Sequence, residues 1–257
     1  MQTDADRLQA ILASPSFRLA EDDLDFLESD SARAVRLALE FHRTDTYLRA
    51  AGIESTVVVF GSARVRPPED SAATPAERGL YEQARRFAYE LSSGALHRPG
   101  CHQLVVATGG GPGLMAAANR GASEAGAPTI GFNIRLPNEQ QPNPYITPGL
   151  AFQFRYFALR KMHFLFRARA LVALPGGFGT LDEVYEALNL VLTRTIAPMP
   201  IVLIGRDYWA KAVDFAHLAG HGFIEAADAS LVHVVDSGAE AAAHVLAQCG
   251  CTLTPAG

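Results

Sequence analysis

Lysine, cysteine and long apolar runs are all scarce in this sequence. Two of the 257 residues are lysines, Lys161 and Lys211, so almost all of the 22 basic side chains are arginines. They are outnumbered by 27 acidic residues, and the formal net charge of −5 gives no support to binding of nucleic acid or of an anionic membrane surface. No apolar run is long enough to span a bilayer, so we expect no membrane contact.

Cysteine usage indicates a reducing compartment. The three cysteines, Cys101, Cys249 and Cys251, are odd in number and lack the spacing of zinc ligands, so we expect a reduced, cytoplasmic protein without a metal site. The first residues are acidic and mixed in character, unlike a secretion signal. For the Cys249–Cys251 pair, a redox role is the alternative to the bystander role that we favour.

Patterning along the chain predicts one large α/β domain. Its length and an apolar content of 49% allow a sizeable core. Residues 1–52 show helical periodicity, so we interpret them as a helical extension that packs on the core or on a second subunit and carries no chemistry. Over residues 53–250, apolar β-branched runs alternate with helical patterns, which predicts a doubly wound, mostly parallel, Rossmann-like sheet.

The expected elements follow from apolar periodicity and from glycine and proline turns. Strands are predicted over 55–60, 103–108, 128–132, 171–174, 200–204 and 231–235. Besides those of the extension, helices are predicted over 77–96, 114–125, 152–166, 180–192, 208–218 and 239–249.

The most informative stretch is residues 171–183, which read LVALPGGFGTLDE. Four apolar residues lead into a glycine turn and then a helix, whose first N–H groups and dipole favour an anion. The glycines let the backbone approach a ligand closely, and Thr180 adds a hydroxyl. Asp182 and Glu183 add carboxylates, which suits a bound phosphate with the chemistry one group further along. The alternative is an ordinary strand-to-helix turn with acids that complement the dipole.

Two further glycine turns strengthen the phosphate interpretation. One follows the first predicted strand at residues 61–64, and the other follows the second strand at residues 109–113. Ligands of open parallel sheets lie beyond the carboxyl ends of strands, so the three turns can converge on one crevice. The second turn is neither a dinucleotide fingerprint nor a P-loop, but it can still cradle an anion. The candidate binding residues here are Gly61, Ser62, Gly110 and Gly111, and Arg64 is either a ligand contact or a solvated loop arginine.

Arg160 and Lys161 stand in an aromatic stretch, residues 152–166. We interpret most of its aromatic side chains as core or subunit interface rather than as a base-stacking site. His163 is interpreted as structural. Arg160 is harder to explain in this way, because a guanidinium among aromatic side chains needs an anionic partner.

Three of these motifs, in this order, resemble the LOG, or Lonely guy, phosphoribohydrolase family. Residues 108–115 resemble its glycine turn, Arg160-Lys161 its Arg-Lys pair, and residues 175–183 its PGGxGTxxE signature, and the resemblance covers about residues 54–248. It implies that a homodimer or tetramer hydrolyses a nucleoside 5′-monophosphate to free base and ribose 5-phosphate, without a metal or an organic cofactor. Such sequences were formerly labelled lysine decarboxylases, but a pyridoxal-phosphate enzyme needs a Schiff-base lysine, and neither lysine has a convincing context.

The resemblance also implies roles for individual residues. Arg160 is then the catalytic cation with Lys161 as its support, and Glu183 is the carboxylate that stabilises an oxocarbenium-like centre and positions water. The implied binding residues are Gly176, Gly177, Gly179 and Thr180 for the phosphate, Asp182 for the ribose and Glu139 for the base. Asp182 stands where the family often has glutamate. Ala116 also stands at a position where the family often has glutamate, so any ligand contact by that glutamate side chain is absent here.

Two questions stay open in the sequence. The base of the substrate is either plain adenine, as in AMP, or a prenylated, cytokinin-type adenine, and we favour AMP-like hydrolysis. The alternative to hydrolysis is a non-catalytic nucleotide- or molybdenum-cofactor-binding protein, because the same sheet and glycine turns occur in molybdenum-cofactor carriers. The presence of both Arg160 and Glu183 favours hydrolysis.

Overall fold

The computed structural model of the protein describes residues 2–96, 104–137 and 141–250. The chain divides into two compact units, Met1–Thr46 and Tyr47–Gly257. The first unit contains the helices α1 (Asp4–Leu12) and α2 (Leu24–Glu28) and most of α3 (Arg33–Ala50). These helices agree with the periodicity of the sequence, whereas the boundary at residue 52 and the packing of the extension stay predictions.

The second unit is a doubly wound α/β domain. Its strands are β1 (Ser55–Phe60), β2 (Leu104–Thr108), β3 (Thr129–Ile134), β4 (Ala151–Phe154), β5 (Ala168–Ala173), β6 (Ile201–Ile204) and β7 (Val232–Val235). Its helices are α4 (Pro75–Leu96), α5 (Leu114–Glu124), α6 (Phe157–Phe166), α7 (Phe178–Leu192), α8 (Arg206–Ala212), α9 (Phe215–Gly220) and α10 (Gly238–Gln248). Within the described ranges, none of the helices is both long enough and apolar enough to cross a membrane.

One sheet organises this unit. Its strand order is β4-β3-β2-β1-β5-β6-β7, and every neighbouring pair is parallel. The predicted fold class, a doubly wound parallel sheet, is therefore confirmed. From β1 the chain adds β2, β3 and β4 on one side and then crosses to β5, β6 and β7 on the other. At this reversal between β1 and β5, the following connections diverge to opposite faces and leave a crevice at the carboxyl ends.

Both faces of the sheet are covered, because the central strands are apolar on both sides. All the residues of β1 and β2 are buried. One face packs against α4, α5 and α10, whose apolar side chains include Phe87 and Leu91. On the other face, the Phe164 ring of α6 packs edge-on against Phe60 at 4.9 Å and Phe132 at 5.3 Å between centroids. A ligand can therefore reach the sheet at the strand ends rather than at its faces.

The prediction of a helix over 152–166 is wrong at its start. The segment begins with the edge strand β4, in which Phe152 and Phe154 are buried and Ala151 and Gln153 are exposed. Aromatic residues suit strands as well as helices, and an alternation of four residues is easily absorbed into a longer helical pattern. The helix itself begins at Phe157.

The predicted helix over 208–218 is also wrong, because two short helices replace it. Val213 is extended, with φ −146° and ψ 121°, and ends α8. Asp214 then caps α9, since its carboxylate accepts from the His217 amide at 2.8 Å. Apolar periodicity continues through the break, so the pattern alone does not reveal it.

Candidate active site

A cavity of about 630 Å³ opens at the carboxyl ends of β1 and β5. Its walls come from the turn after β1, from β3, from α6 and from the first turn of α7. The site residues predicted from the sequence that line it are Gly61, Ser62, Arg160, Gly177, Gly179, Thr180, Asp182 and Glu183. Most of the predicted site is thus brought together at the switch point of the sheet.

The N-terminus of α7 lies at this cavity. Gly177 precedes the helix, and its carbonyl accepts from the Thr180 and Leu181 amides at 3.0 and 3.1 Å. No described side chain caps this end. Gly176 does not line the cavity, but it must be glycine because a side chain there would collide with Thr180. The first-turn amides and the helix dipole are suited to an anionic group.

The turn after β1 is tied to both neighbouring turns. The Ser62 amide donates to the Pro175 carbonyl at 3.1 Å, and the Ser62 carbonyl accepts from the Leu114 amide at 3.0 Å. A Cβ atom added to Gly61 would lie 2.8 Å from the Cβ of Leu114, so this approach requires glycine. Arg64 also lines the cavity, and its amide donates to the Ser62 hydroxyl at 3.1 Å.

The second glycine turn contributes less of its backbone than the sequence predicts. Gly109 lines the cavity, whereas Gly110 and Gly111 are not among its lining residues. The Gly110 amide is already occupied, because it donates to the Thr108 hydroxyl at 3.0 Å. Gly110 has a φ of +71°, and a side chain there would collide with Asn133. These two glycines shape the turn behind the cavity wall.

Two buried asparagines hold this turn in place. Asn119 Oδ1 accepts from Thr108 Oγ1 at 2.7 Å and from Asn143 Nδ2 at 2.9 Å, while Asn119 Nδ2 donates to Thr129 Oγ1 at 2.6 Å. The backbone and side chain of Asn143 donate to two carbonyls of the glycine turn, at 2.9 and 3.1 Å. Sequence reasoning missed both asparagines, because nothing local links positions so far apart.

Replacing Asn119 by alanine is expected to lower the free energy of unfolding by about 3 kcal/mol. The substitution leaves several buried donors and acceptors without partners, and each such group costs roughly 1 to 3 kcal/mol. Urea unfolding measures the loss, and Asn189→Ala, an exposed position on α7, is the matched control. Equal unfolding midpoints for the two variants would contradict the role of the network.

Arg160 is half-buried in the cavity wall. Its guanidinium lies against Gly109, where an added Cβ would be 2.5 Å from Nη2, and its Cζ is 5.2 Å from the centroid of the Phe164 ring. Nε is buried and has no hydrogen-bond partner among the described residues. Burial lowers the pKa of Arg160, and the Glu183 carboxylate opposes that shift. A partly desolvated guanidinium with an unused donor suits an anionic ligand.

Glu183 is the most perturbed acid of the cavity. It lies in α7, lines the cavity and is 8% exposed. Burial raises the pKa of Glu183 to about 7, while the charges of Lys161 and Arg160 act in the opposite direction. A carboxyl with a near-neutral pKa can take up or release a proton at physiological pH. Such a shift beside a cavity is typical of functional groups.

Lys161 does not line the cavity but braces α6 against α7. Its Nζ lies 2.7 Å from Asp182 Oδ2 and 3.0 Å from Glu186 Oε2. Burial lowers the pKa of Lys161, but these two carboxylates outweigh that effect and the pKa is raised overall. Lys161 therefore stays cationic beside Glu183. Glu186, one helical turn beyond Asp182, is a partner that sequence reasoning missed.

Two other residues named from the sequence are Glu139, a candidate base contact, and His163, interpreted as structural. Glu139 lies outside the described residues. His163 is buried, with its ring 6.1 Å from that of Phe132 and 5.5 Å from that of Phe154, which agrees with a structural role. Within the described part of the chain, no cluster of three or more histidine, cysteine or acidic side chains could hold a metal ion.

Several apolar or neutral residues of the cavity were not among the candidate site residues taken from the sequence. They are Phe60, Met115, Asn133, Ile134, Leu136, Phe157 and Phe178. Phe178 is 91% exposed and Phe157 is 54% exposed, so both rings are accessible to a ligand or to a partner. The signal for Phe178 was present, since it stands inside the Pro-Gly-Gly-Phe-Gly-Thr turn.

Comparison with known proteins identifies the family. Residues 115–245, about half of the chain, match the family described as "Possible lysine decarboxylase". The chain belongs to this family, the LOG family. The matched region includes Arg160, Glu183 and the glycine turn before α7, so the resemblance noted in the sequence is confirmed.

A curated relative of this LOG family member matches it over about half of each chain. A rice protein (Oryza sativa subsp. japonica), named "Probable cytokinin riboside 5′-monophosphate phosphoribohydrolase LOGL5", is 32% identical over 124 residues, which are 47% of this chain and 49% of the rice protein. The match thus spans about half the length of this curated relative.

Solved structures with the same fold are more distant in sequence. The molybdenum cofactor binding protein of the phototrophic bacterium Rippkaea orientalis is 21% identical, with a TM-score of 0.50, over 77% of this chain and 98% of that one. The Moco carrier protein of Chlamydomonas reinhardtii is 24% identical, with a TM-score of 0.49, over 77% of this chain and 99% of that one. The first of these likenesses supports the Rossmann-like fold.

Proposed function

We propose that this protein hydrolyses the N-glycosidic bond of a nucleoside 5′-monophosphate to a free base and ribose 5-phosphate. The observation that carries the proposal is Glu183: a buried carboxyl with a pKa near 7 that shares a cavity with Arg160 and the N-terminus of α7. Family membership supports a phosphoribohydrolase-type activity. The substrate is a proposal, because the match to the rice relative spans half its length.

The proposed reaction divides the substrate between three parts of the cavity. The 5′-phosphate accepts hydrogen bonds from the first-turn amides of α7 and from Thr180. The ribose lies beside Glu183, whose carboxylate stabilises positive charge at C1′ and takes a proton from the attacking water. The water oxygen bonds to C1′ as the C1′–N bond breaks, the electron pair of that bond stays with the base, and the base gains the proton that the water has lost. Arg160 donates hydrogen bonds to the anionic groups that flank the reacting carbon.

The base is proposed to be adenine, either plain or prenylated. The cavity wall away from α7 contains apolar side chains, among them Met115, Leu136 and Phe157. A flat aromatic base suits such a surface, and we favour an AMP-like substrate with the cytokinin riboside 5′-monophosphate as the alternative. The rice relative is named for the second of these substrates.

Release of free base from AMP and from isopentenyladenosine 5′-monophosphate tests the proposal directly. We expect cleavage of AMP by the native protein and cleavage about a thousandfold slower by Glu183→Gln. Cleavage of the prenylated substrate alone would identify a cytokinin-activating enzyme. Nucleotide binding without any cleavage would overturn hydrolysis and favour the alternative, a non-catalytic nucleotide- or molybdenum-cofactor-binding protein.

Lysine decarboxylation, the activity that the name of the family suggests, is not supported by the lysines of this chain. Lys161 is held between Asp182 and Glu186 and stays cationic, which is unfavourable for a Schiff-base nucleophile. Lys211 is exposed on α8 and does not line the cavity.

We also propose that the protein acts as a homodimer, with a tetramer as the alternative. The support is a set of large apolar side chains on α6 and α7 that are between 40% and 58% exposed: Phe157, Met162, Phe166, Tyr185 and Leu192. Exposed apolar patches of this kind are typical of interfaces. Sedimentation equilibrium of the native protein measures the state, and the cytoplasmic location stays a prediction.

Replacing Lys161 by methionine is expected to move the pH profile of kcat to higher pH. The reaction needs ionised Glu183, so the rate rises with pH through the pKa of that carboxyl, about 7. Lys161 lowers this pKa, so its loss raises it, and the variant loses more activity at about pH 6 than at about pH 9. Lys211→Met is the matched control, since it removes the other lysine. Coincident profiles for both variants would contradict the charge effect.

A further inference from the structure

Tyr208 reaches back from α8 to the glycine turn that precedes α7. Its hydroxyl donates to the Gly176 carbonyl. Tyr208 is half-buried and does not line the cavity, so it touches no ligand there. No local pattern identifies Tyr208, because it lies more than thirty residues along the chain from the glycine turn that it contacts.

The position of the Tyr208 ring is well determined by its neighbours. Gly205, with a φ of +102°, turns the chain from β6 into α8 and lies against the Pro175 ring. Trp209 is buried, and its Nε1 donates to the Ile204 carbonyl at 3.1 Å. The Tyr208 and Trp209 rings pack edge-on at 5.1 Å between centroids. The hydroxyl is therefore presented to the turn by a rigid part of the fold.

A hydrogen bond to the Gly176 carbonyl has a consequence for the next amide. A trans peptide is planar, so the Gly176 carbonyl and the Gly177 N–H point in opposite directions. A peptide between two glycines would otherwise rotate easily, because glycine accepts almost any backbone conformation. The preceding carbonyl, that of Pro175, is already held by the Ser62 amide at 3.1 Å. The Pro175 and Gly176 carbonyls are thus both held by residues of other elements.

We propose that Tyr208 is a positioning residue that fixes the Gly176–Gly177 peptide so that the Gly177 N–H points to the phosphate site at the N-terminus of α7. This inference rests on the proposed function, in which a 5′-phosphate occupies that site. Pre-organised amides bind an anion without first paying for their own ordering. Loss of the hydroxyl releases the peptide and weakens binding of the phosphate while it leaves the reacting groups intact.

Tyr208→Phe is expected to weaken binding of ribose 5-phosphate about tenfold, as loss of one amide–phosphate hydrogen bond would. Binding of adenosine, which lacks the phosphate, is expected to stay unchanged. For hydrolysis of AMP, KM rises by about the same factor and kcat changes little, because the lost interaction is made equally in the ground and transition states. Isothermal titration measures both ligands on the full-length protein.

Two further variants make the result specific. Tyr89→Phe removes an exposed hydroxyl on α4 and is the matched control. 4-Aminophenylalanine at position 208 keeps a donor in the same place and is expected to restore ribose 5-phosphate binding. Equal weakening of both ligands by Tyr208→Phe, or full retention of ribose 5-phosphate binding, would overturn the inference. If the native protein binds ribose 5-phosphate but cleaves no nucleotide, the hydrolase proposal fails while the role of Tyr208 is still measured by this titration.

Discussion

Glu183→Gln is expected to lower kcat for AMP hydrolysis by about three orders of magnitude. Glutamine keeps the size and most hydrogen bonds of the side chain but cannot accept a proton or stabilise a cationic centre, and a positioned acid–base group contributes roughly 10²- to 10⁴-fold. Binding of ribose 5-phosphate should be nearly unchanged, because the phosphate is proposed to bind the α7 amides. Single-turnover release of adenine measures the effect. A variant that keeps native kcat would remove Glu183 from the mechanism.

The same substitution is expected to stabilise the protein above neutral pH. Burial raises the pKa of Glu183 to about 7 in the folded protein, so the folded state holds its proton over a pH range in which the unfolded state has lost it. Below about pH 4.5 the carboxyl is protonated in both states and has no effect on stability, whereas between about pH 4.5 and 7 it increasingly destabilises the folded state, and this cost levels off above pH 7. That cost approaches about 3 kcal/mol, from 1.36 kcal/mol per pKa unit. Glutamine removes it.

Thermal unfolding at two pH values measures this second effect. At about pH 8 the midpoint of Glu183→Gln should lie above that of the native protein, and at about pH 4 the two should coincide. Glu54→Gln, at an exposed position just before β1, is the matched control and should leave the unfolding midpoint unchanged at both pH values. A variant that is less stable than the native protein at high pH would contradict the raised pKa. A gain in stability with a loss of activity is typical of groups kept for function.

The sheet could be predicted because its strands are short, apolar and separated by helical patterns. Thr56 to Val59 are β-branched and every residue of β1 is buried, which fits a strand covered on both faces. The prediction was wrong where the local pattern fits both a strand and a helix. Phe152 and Phe154 form an edge strand instead of a helix, and the choice is made by pairing with β3, a contact that no local window contains.

The glycine turn that forms the backbone of the candidate site could be predicted from the sequence. The side chains that hold the glycine turns from other elements could not. Gly177 and Thr180 carry a local signal, since a glycine turn that opens a helix favours an anion wherever it occurs. Asn119 and Tyr208 act on the glycine turns from other elements, through hydrogen bonds that exist only after the sheet has formed. Gly110 shows the opposite error. Its place in a glycine turn predicts a ligand contact, but its amide donates to the Thr108 hydroxyl instead.

Charge balance links the two proposed catalytic residues. Glu183 is destabilised as a carboxylate by burial, and Arg160 is destabilised as a cation by burial, and each charge opposes the shift of the other. A ligand that brings a phosphate and develops positive charge at C1′ supplies partners for both. Binding and reaction of such a ligand therefore offset the desolvation of both side chains.

Arg160→Met is expected to lower kcat by about two to three orders of magnitude with little loss of stability. Methionine keeps the apolar packing against Phe164, but it cannot donate to an anion or oppose the charge of Glu183, and removal of one such electrostatic group costs roughly 10²- to 10³-fold. Arg160 Nε is buried without a partner among the described residues, so its removal also removes the free-energy cost of burying that donor in the folded protein. The native and variant proteins should unfold at similar temperatures.

The pH profile of Arg160→Met separates a catalytic role from a structural one. Arg160 lowers the pKa of Glu183, so without it the acidic limb of kcat moves to higher pH, in the same direction as for Lys161→Met. Arg86→Met, which removes a surface guanidinium paired with Glu90 on α4, should alter neither the limb nor kcat. A purely structural arginine would instead lower the unfolding temperature and leave the profile in place. Movement of the limb with an unchanged unfolding temperature therefore requires that Arg160 acts on the ionisation of Glu183 rather than on the stability of the fold.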